Sequence, residues 1–503
     1  MYATFFTLVA CLSDPDVSAL PVLPELPPKR PSAVVERGPE RELRELVVAF
    51  TGSVRGEVEV CGCPTTPYGG FARRAALLDR VAATGVPLFV VDAGEMLVKG
   101  LTARDELDRS VRAQSVLDLA AATRLDAWAA APTDLLPGGL GLLARHGALA
   151  ANWRTSGADA LAPSRVVERG GVRIGLVGLA ADSPDVPSLA AVEAVKSAMA
   201  EPADAWFVLS NAGPDVNREV AAQVPGLAAI LATEGDRTDD PVVGAGAPIV
   251  ETPGRGRYVT LVHTWLATDA RPLELVERGI WRDVAATRYG REVEALPEEV
   301  RAEEVRRDRA RLARLTAGRA VAYVERVPLA EDLDGASALD PVLARFRDDL
   351  LQAARAGSAP SSAPRYATGA ACAACHGDRL ASWGFDGHAR ALEALARRGA
   401  TGDPECVGCH TTGFGQPGGF AAVDVAAIGA FRDVQCEACH GPMSGHDGRG
   451  AVRSRPVTEA TCRTCHDEAN SPAFDYASYL AKISCSRMAA PEDAAPGAEP
   501  RRE

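Results

Sequence analysis

Four times in the last third of the chain, two cysteines stand three positions apart and a histidine follows at once. The copies are Cys372-Ala373-Ala374-Cys375-His376, Cys406-Val407-Gly408-Cys409-His410, Cys436-Glu437-Ala438-Cys439-His440 and Cys462-Arg463-Thr464-Cys465-His466. This spacing is the attachment signature of c-type haem. The two thiols add across the haem vinyl groups and the histidine supplies the proximal iron ligand. With 12 Cys and 8 His in 503 residues, chance would give on the order of 0.005 copies. Zinc is the first rival reading, but zinc needs two Cys-x-x-Cys hooks per metal and no histidine after each. Disulfides are the second, and such a pair is more often redox-active than structural. The spacing therefore predicts four covalently attached haems.

A length of 503 residues allows two or three domains, and 47% hydrophobic with 24% charged residues is ordinary for globular protein. The formal net charge of −13 argues against a nucleic-acid partner and suits basic electron-transfer partners. Eight of the cysteines are committed to haem, which leaves Cys11, Cys61, Cys63 and Cys485.

Haem of this type is attached outside the cytoplasm, so an export signal is expected. Residues 1–12 are apolar at first but lack Lys and Arg, like the end of a signal whose basic start is missing. Leu8-Val9-Ala10-Cys11 looks like a bacterial lipobox, making Cys11 a candidate lipid anchor to the membrane and the chain a lipoprotein of the periplasm or cell surface. A plain signal peptide that happens to contain a cysteine is the alternative. Residues 13–43 are rich in Pro and charge and read as a tether.

From Leu46 short apolar runs alternate with helix-period segments. Strands are expected over 46–50, 87–91, 126–130, 172–179, 205–209, 228–232, 257–267 and 273–280, and helices over 71–84 and 105–125. The fold class is therefore a layered α/β domain over 44–282. Residues 283–365 form a helical connector and linker: a charged helical run to 316, a short strand over 320–327, a helix over 341–356, then Gly357–Pro364. The haem domain follows over 366–486, mainly α and packed around its haems, and the tail 487–503 is Ala/Pro/Glu-rich and expected to be disordered.

The order of segments in 44–282 resembles the calcineurin-like metallophosphatases, specifically their 5'-nucleotidase branch. Phe50 to Gly56 stands where that family has Asp-x-His-Gly, and Val91 to Glu95 stands at its Asp-Ala-Gly-Asp strand end. Asp126 to Leu135 takes the place of Gly-Asn-His-Glu, and Ala148 to Trp153 matches the Ala-Asn strand. Val208 to Gly213 replaces Leu-Ser-His-x-Gly, and Leu231 to Asp236 replaces the Gly-His-x-His end. The family holds two metals about 3.5–4 Å apart to activate water. Its ligands are missing here: Ser53 and Arg55 replace the first Asp and His, Glu95 the bridging Asp, Pro132 and Thr133 the Asn and His, Asn211 a His, and Glu234 and Asp236 the last two His. The oxygen donors Glu95, Asp134, Glu234 and Asp236 remain for at most one hard cation. The resemblance thus implies a scaffold without phosphatase activity. Cys61-Gly62-Cys63 with Gly69-Gly70-Phe71-Ala72-Arg73-Arg74 resembles the signature of a nucleotidase-like subfamily often joined to multihaem cytochromes. That cysteine pair could be redox-active, hold a metal, or be reduced and packed. His146 and His263 read as packed or surface residues rather than as haem ligands.

The neighbourhoods of the four motifs resemble the tetrahaem cytochrome c family linked to hydroxylamine oxidation. The resembling residues are Trp383 with His388-Ala389, Cys406 to Phe414, Cys436 to Pro442 with His446, and Phe474-Asp475-Tyr476 with Lys482-Ile483. The family implies mostly bis-histidine haems, with His388 and His446 as distal ligands beside the proximal His376, His410, His440 and His466. Its Lys-Ile-x-His ends here in Cys485, so up to two sixth positions fall to Cys485, Met443, Met488, water or a histidine from the other domain. The expected role is an electron carrier between envelope redox proteins. The rivals are a reductase or oxidase of a small nitrogen compound at a five-coordinate haem, a partner-docking role for the α/β domain, and a residual nucleotidase.

Overall fold

The computed structural model describes residues 44–60, 67–98, 106–135, 138–233, 246–266, 273–275, 297–300, 302–303, 306–307, 310, 320–335, 337–356, 365–397, 400–420, 428–446, 454–467, 470–471 and 473–483. The tether with Cys11, Cys61, Cys63, Glu234, Asp236, most of 283–316, the linker 357–364, Cys485, Met488 and the tail lie outside the described residues.

Two sheets form the α/β region. The first has the order β11-β12-β10-β1-β2-β3-β4, built from β1 (Arg44–Thr51), β2 (Leu88–Asp92), β3 (Leu125–Ala129), β4 (Ala148–Leu149), β10 (Tyr258–Leu266), β11 (Glu274–Leu275) and β12 (Val321–Pro328). The second has the order β5-β6-β7-β8-β9, from β5 (Ser164–Arg169), β6 (Val172–Leu179), β7 (Ala205–Ser210), β8 (Leu227–Thr233) and β9 (Ile249–Thr252). Strands β1 to β4 and β6 to β9 run parallel, which explains their near-continuous apolar runs: both faces are covered.

Side chains alternate across each strand. Leu46, Val48 and Phe50 point into an inter-sheet core with Phe89, Leu176, Phe207, Leu209 and Leu231. Val47 and Ala49 point the other way, onto Leu77, Leu78 and Val81 of α1 (Phe71–Ala82). On the far side, Trp206 and Val208 meet Val195 of α4 (Ala191–Ala198) and Val220 of α5 (Pro214–Gln223). The result is a helix–sheet–sheet–helix sandwich. Helix α2 (Glu106–Ala122) lies on the first sheet, and the short α3 (Gly139–Arg145) precedes β4. Full burial of each Leu or Phe in these layers contributes about 1.5–3 kcal/mol.

The sheet also takes β12 from the stretch expected as connector, pairing it antiparallel with β10 from Tyr258–Pro328 to Trp265–Val321. Helix α6 (Asp340–Ala356) then packs Leu343, Phe346 and Leu350 into the same cluster as Val116 and Leu119 of α2. The sandwich therefore extends past residue 282.

Among its described residues the C-terminal region contains the helices α7 (Thr368–Trp383), α8 (Ala391–Ala396), α9 (Pro404–His410), α10 (Cys436–His440), α11 (Glu459–Arg463) and α12 (Tyr476–Ile483). Its buried apolar cluster among the described residues is small: Leu395, Val407, Phe414, Phe420 and Ile428. Leu351 of α6 packs against that cluster and joins it to the sandwich.

Candidate functional site

Each Cys-x-x-Cys-His lies on a helical turn, where residues three apart share a face. The second motif closes α9 and the third is α10. The fourth starts in α11 and continues in a turn closed by His466 N–H to the Cys462 carbonyl at 2.8 Å. The first lies within α7, which kinks at His376 (φ −127°, ψ 35°). All eight motif thiols are free. Cys409 Sγ of the second motif lies 4.0 Å from the carbonyl of Thr464, the residue before Cys465 of the fourth. Those two motifs therefore touch.

The histidines are oriented through Nδ1. His410 Nδ1 lies 2.7 Å from the Ala391 carbonyl, His466 Nδ1 lies 3.2 Å from Ser471 Oγ, and His388 Nδ1 lies 2.8 Å from Asp386 Oδ1. A partner on Nδ1 fixes the ring and leaves Nε2 for a metal. His466 is stacked on Phe474 at 5.0 Å, and burial followed by the charge of His388 lowers its pKa, so the ring is held in the neutral, ligating form. His388 stands 6.1 Å from His466, which brings a spare histidine beside the fourth motif. His376 and His446 are exposed and His440 is half-buried.

Backbone amides in this region are gathered by buried polar side chains. Glu437 accepts from Ala367 N (2.9 Å), Thr368 N (2.7 Å) and Met443 N (2.7 Å), tying the third motif to the start of α7. Gln435 accepts from Gly369 N and donates to the Ala430 and Arg432 carbonyls, and Trp383 Nε1 donates to the Val434 carbonyl. Helix α7 has no buried residue and Phe385 is 84% exposed. Free thiol pairs, histidines with Nδ1 engaged and an unfilled apolar surface all fit covalent haem.

At the C-terminal ends of β1 to β3 the sandwich gathers a second polar cluster. Asp92 accepts from Thr51 Oγ1 (2.6 Å) and Gly94 N (2.9 Å); burial pushes its carboxyl up to about 6 against the pull of Arg74. Asp134 accepts from Leu97 N at 2.8 Å, and burial pushes it up to about 8. Glu95 is held by Ser53 Oγ at 2.8 Å and by Arg55 Nη2 at 2.9 Å. An internal cation thus sits on the Glu95 carboxylate. Asn211 spends its amide on the Ala93 and Ala130 carbonyls and on Ala181 N. Gly94 is required there: its φ is +106° and an added Cβ would lie 2.3 Å from Asn211 Nδ2. Ser53, Arg55 and Glu95 all have φ near +50° (49°, 55° and 55°), strain concentrated at one edge. Among the described residues no three His, Cys, Asp or Glu are placed to hold a metal ion. His263 is fully buried against Glu325 at 3.2 Å, with its pKa lowered by burial, and His146 follows α3.

Several residues here carry no local sequence signal. Asp386 and Ser471 orient His388 and His466, and Arg255 joins the two regions. Arg74 is fully buried with no hydrogen bond to its guanidinium, its pKa lowered by desolvation and opposed by the Asp92 charge.

Residues 371–441 match the family model described as cytochrome c554 and c-prime. Cytochrome c-554 of Nitrosomonas europaea is 37% identical over 97 residues, covering 16% of this chain and 40% of that protein. The chain thus spans well under half the length of that curated relative. Among solved structures, a 5'-nucleotidase precursor from Thermus thermophilus is 23% identical with a TM-score of 0.38, over 44% of this chain and 51% of that one. The Thermus thermophilus sulfate thiohydrolase SoxB is 14% identical with a TM-score of 0.43, over 61% and 60%. The calcineurin-like phosphoesterase YfkN from Bacillus subtilis is 14% identical with a TM-score of 0.39, over 62% and 98%. The chain is therefore similar to cytochrome c-554 in its C-terminal region and to calcineurin-like 5'-nucleotidases and phosphoesterases in its N-terminal part.

Proposed function

We propose that this chain is a tetrahaem c-type cytochrome that passes electrons between redox proteins of the cell envelope. The observation that carries the reading is the set of four Cys-x-x-Cys-His turns with all eight thiols free and with ring nitrogens of His410 and His466 already oriented. Bound there, haem supplies one-electron redox chemistry at iron. The chain's own residues attach it through the eight cysteines, supply His376, His410, His440 and His466 as proximal ligands, and offer His388 and His446 as distal ones. The net charge of −13 favours basic partners. The reading includes a lipid anchor at Cys11 and a periplasmic or cell-surface location. No described helix is long and apolar enough to cross a membrane.

The sandwich in this reading performs no phosphatase chemistry, because Arg55 and Ser53 occupy the Glu95 carboxylate that a metal would need. Nucleotide turnover with Mn²⁺ that Glu95→Ala abolishes would overturn this part. A second reading, reduction or oxidation of a small nitrogen compound at an open iron, is favoured by the ligand count: two spare histidines face four motifs. Electron paramagnetic resonance on the oxidised protein, beside a haem count per chain, separates the two. Four low-spin haems support the carrier, a high-spin signal with carbon monoxide binding supports the enzyme, and fewer than four haems contradicts the tetrahaem reading.

A further inference from the structure

We infer that Arg255, a residue of the sandwich, is a positioning residue for the proximal histidine of the fourth haem. The inference rests on the haem reading of Cys462 to His466. Arg255 lies between β9 and β10 with φ +64°, a left-handed conformation that side-chain-bearing residues rarely adopt. It is held there from two sides. Its backbone N–H donates to the Ser53 carbonyl at 2.7 Å, and its guanidinium grips Glu57 through Nε at 3.0 Å and through Nη2. Both side chains are mostly buried, 13% and 17% exposed, so the pair is shielded from solvent screening.

From this fixed base Nη2 reaches Asn470 Oδ1 at 3.4 Å, across 215 positions of sequence. Asn470 is itself fastened to Asp467, the residue after the proximal His466, through its backbone N (2.6 Å) and its Nδ2 (3.0 Å). The next residue, Ser471, donates its backbone N–H to the Asp467 carbonyl at 2.8 Å and meets His466 Nδ1 with its hydroxyl at 3.2 Å. Arg255 thus anchors the residue adjoining the one that orients the ring. The Nδ1 partner sets an axial histidine's orientation and basicity, and these are levers on haem potential. Ser53 closes the link on the other side, because its hydroxyl holds Glu95. The edge cluster of the sandwich and one haem therefore share a continuous set of polar contacts.

The test uses the haem-loaded full chain with Arg255→Gln, Asn470→Ala and the double variant. The haem count is taken first, then a potentiometric titration followed by electron paramagnetic resonance. The expected result is full haem content in all variants, with one midpoint potential and its matching g values displaced. Both single variants should move the same haem, and the double should move it no further than the larger single. Loaded wild type whose midpoints stay put in both variants would overturn the clamp alone, as would a uniform shift of all four or strict additivity. A wild type carrying no haem at Cys462 and Cys465 would overturn the haem reading of that motif and the clamp with it.

Discussion

In the sandwich, Phe50, Phe89 and Phe207 are wholly withdrawn from solvent, whereas none of the sixteen residues of α7 is fully buried and Phe385 stands 84% exposed. The two regions hold themselves together by different means. Strands β1, β2, β6 and β7 close on apolar layers that need nothing from outside the chain. The C-terminal helices are tied by polar side chains that catch backbone amides, as Glu437, Gln435 and Asp433 do. Such bonds contribute about 1 kcal/mol each and do not by themselves offset the entropy of ordering the chain. The difference teaches where a prosthetic group has to supply the core.

Withholding haem attachment should separate the two regions most strongly. Hydrogen exchange is expected to show fast amides across 366–483 and protected amides in β1, β6 and β7; a protected C-terminal region in haem-free protein would break the comparison. Phe207→Ala is expected to lower the sandwich's unfolding free energy by about 3–5 kcal/mol. Chemical denaturation should give the same loss with and without haem, and an effect that vanishes in haem-free protein would tell against independence.

The pH response should belong to the sandwich as well. Asp134 titrates near 8 in the fold and near 3.8 when unfolded, and Asp92 near 6. The unfolded chain therefore releases these protons first. The contribution of both carboxyls is fully present below about pH 4 and is lost as pH rises, to about 6 for Asp92 and about 8 for Asp134. A change of several kcal/mol across that window is expected, the larger part from Asp134, and Asp134→Asn should remove that part; an unchanged slope in the variant would exclude Asp134 as its source. Glu437→Ala, by stranding amides of Ala367, Thr368 and Met443, should cost the C-terminal region about 2 kcal/mol and leave the sandwich midpoint alone. The smallest effect is expected from Asp386→Ala. It removes the cap on His388 N–H at 2.8 Å, about 1 kcal/mol, and also the partner of His388 Nδ1, so thermal melting and the spectrum of one haem should move together.

Sequence made some of this visible and hid the rest for physical reasons. Strands β1, β6, β7 and β8 are buried on both faces, so their apolar runs stand out from any neighbour. Strand β5, Ser164–Arg169, is half solvated and mixed in character, and β9 has only four residues, so neither rises above the loops around it. The haem motifs are legible because their chemistry is local and covalent. Arg55 and Glu95 were legible only as positions where the resemblance expects ligands; their mutual ion pair comes from the parallel pairing of β1 with β2, which sets the loops beyond the two strand ends side by side. Arg255, between two glycines, reads as an ordinary loop cation; only the fold sets it against Glu57 and Asn470.

Strand β12 has a consequence for how the chain can be divided. It sits inside the first sheet, between β10 and β11, although it arrives about 55 residues after β10 ends. A piece cut at 282 would lose an interior strand and the helix α6 together, and would expose the edge of β10 as an open template for aggregation. A cut within 357–364 leaves that sheet whole, and the piece beyond it begins just before the first haem motif. Such a cut keeps the first sheet intact but severs the contacts that Leu351, Arg255 and Arg112 make with the C-terminal region.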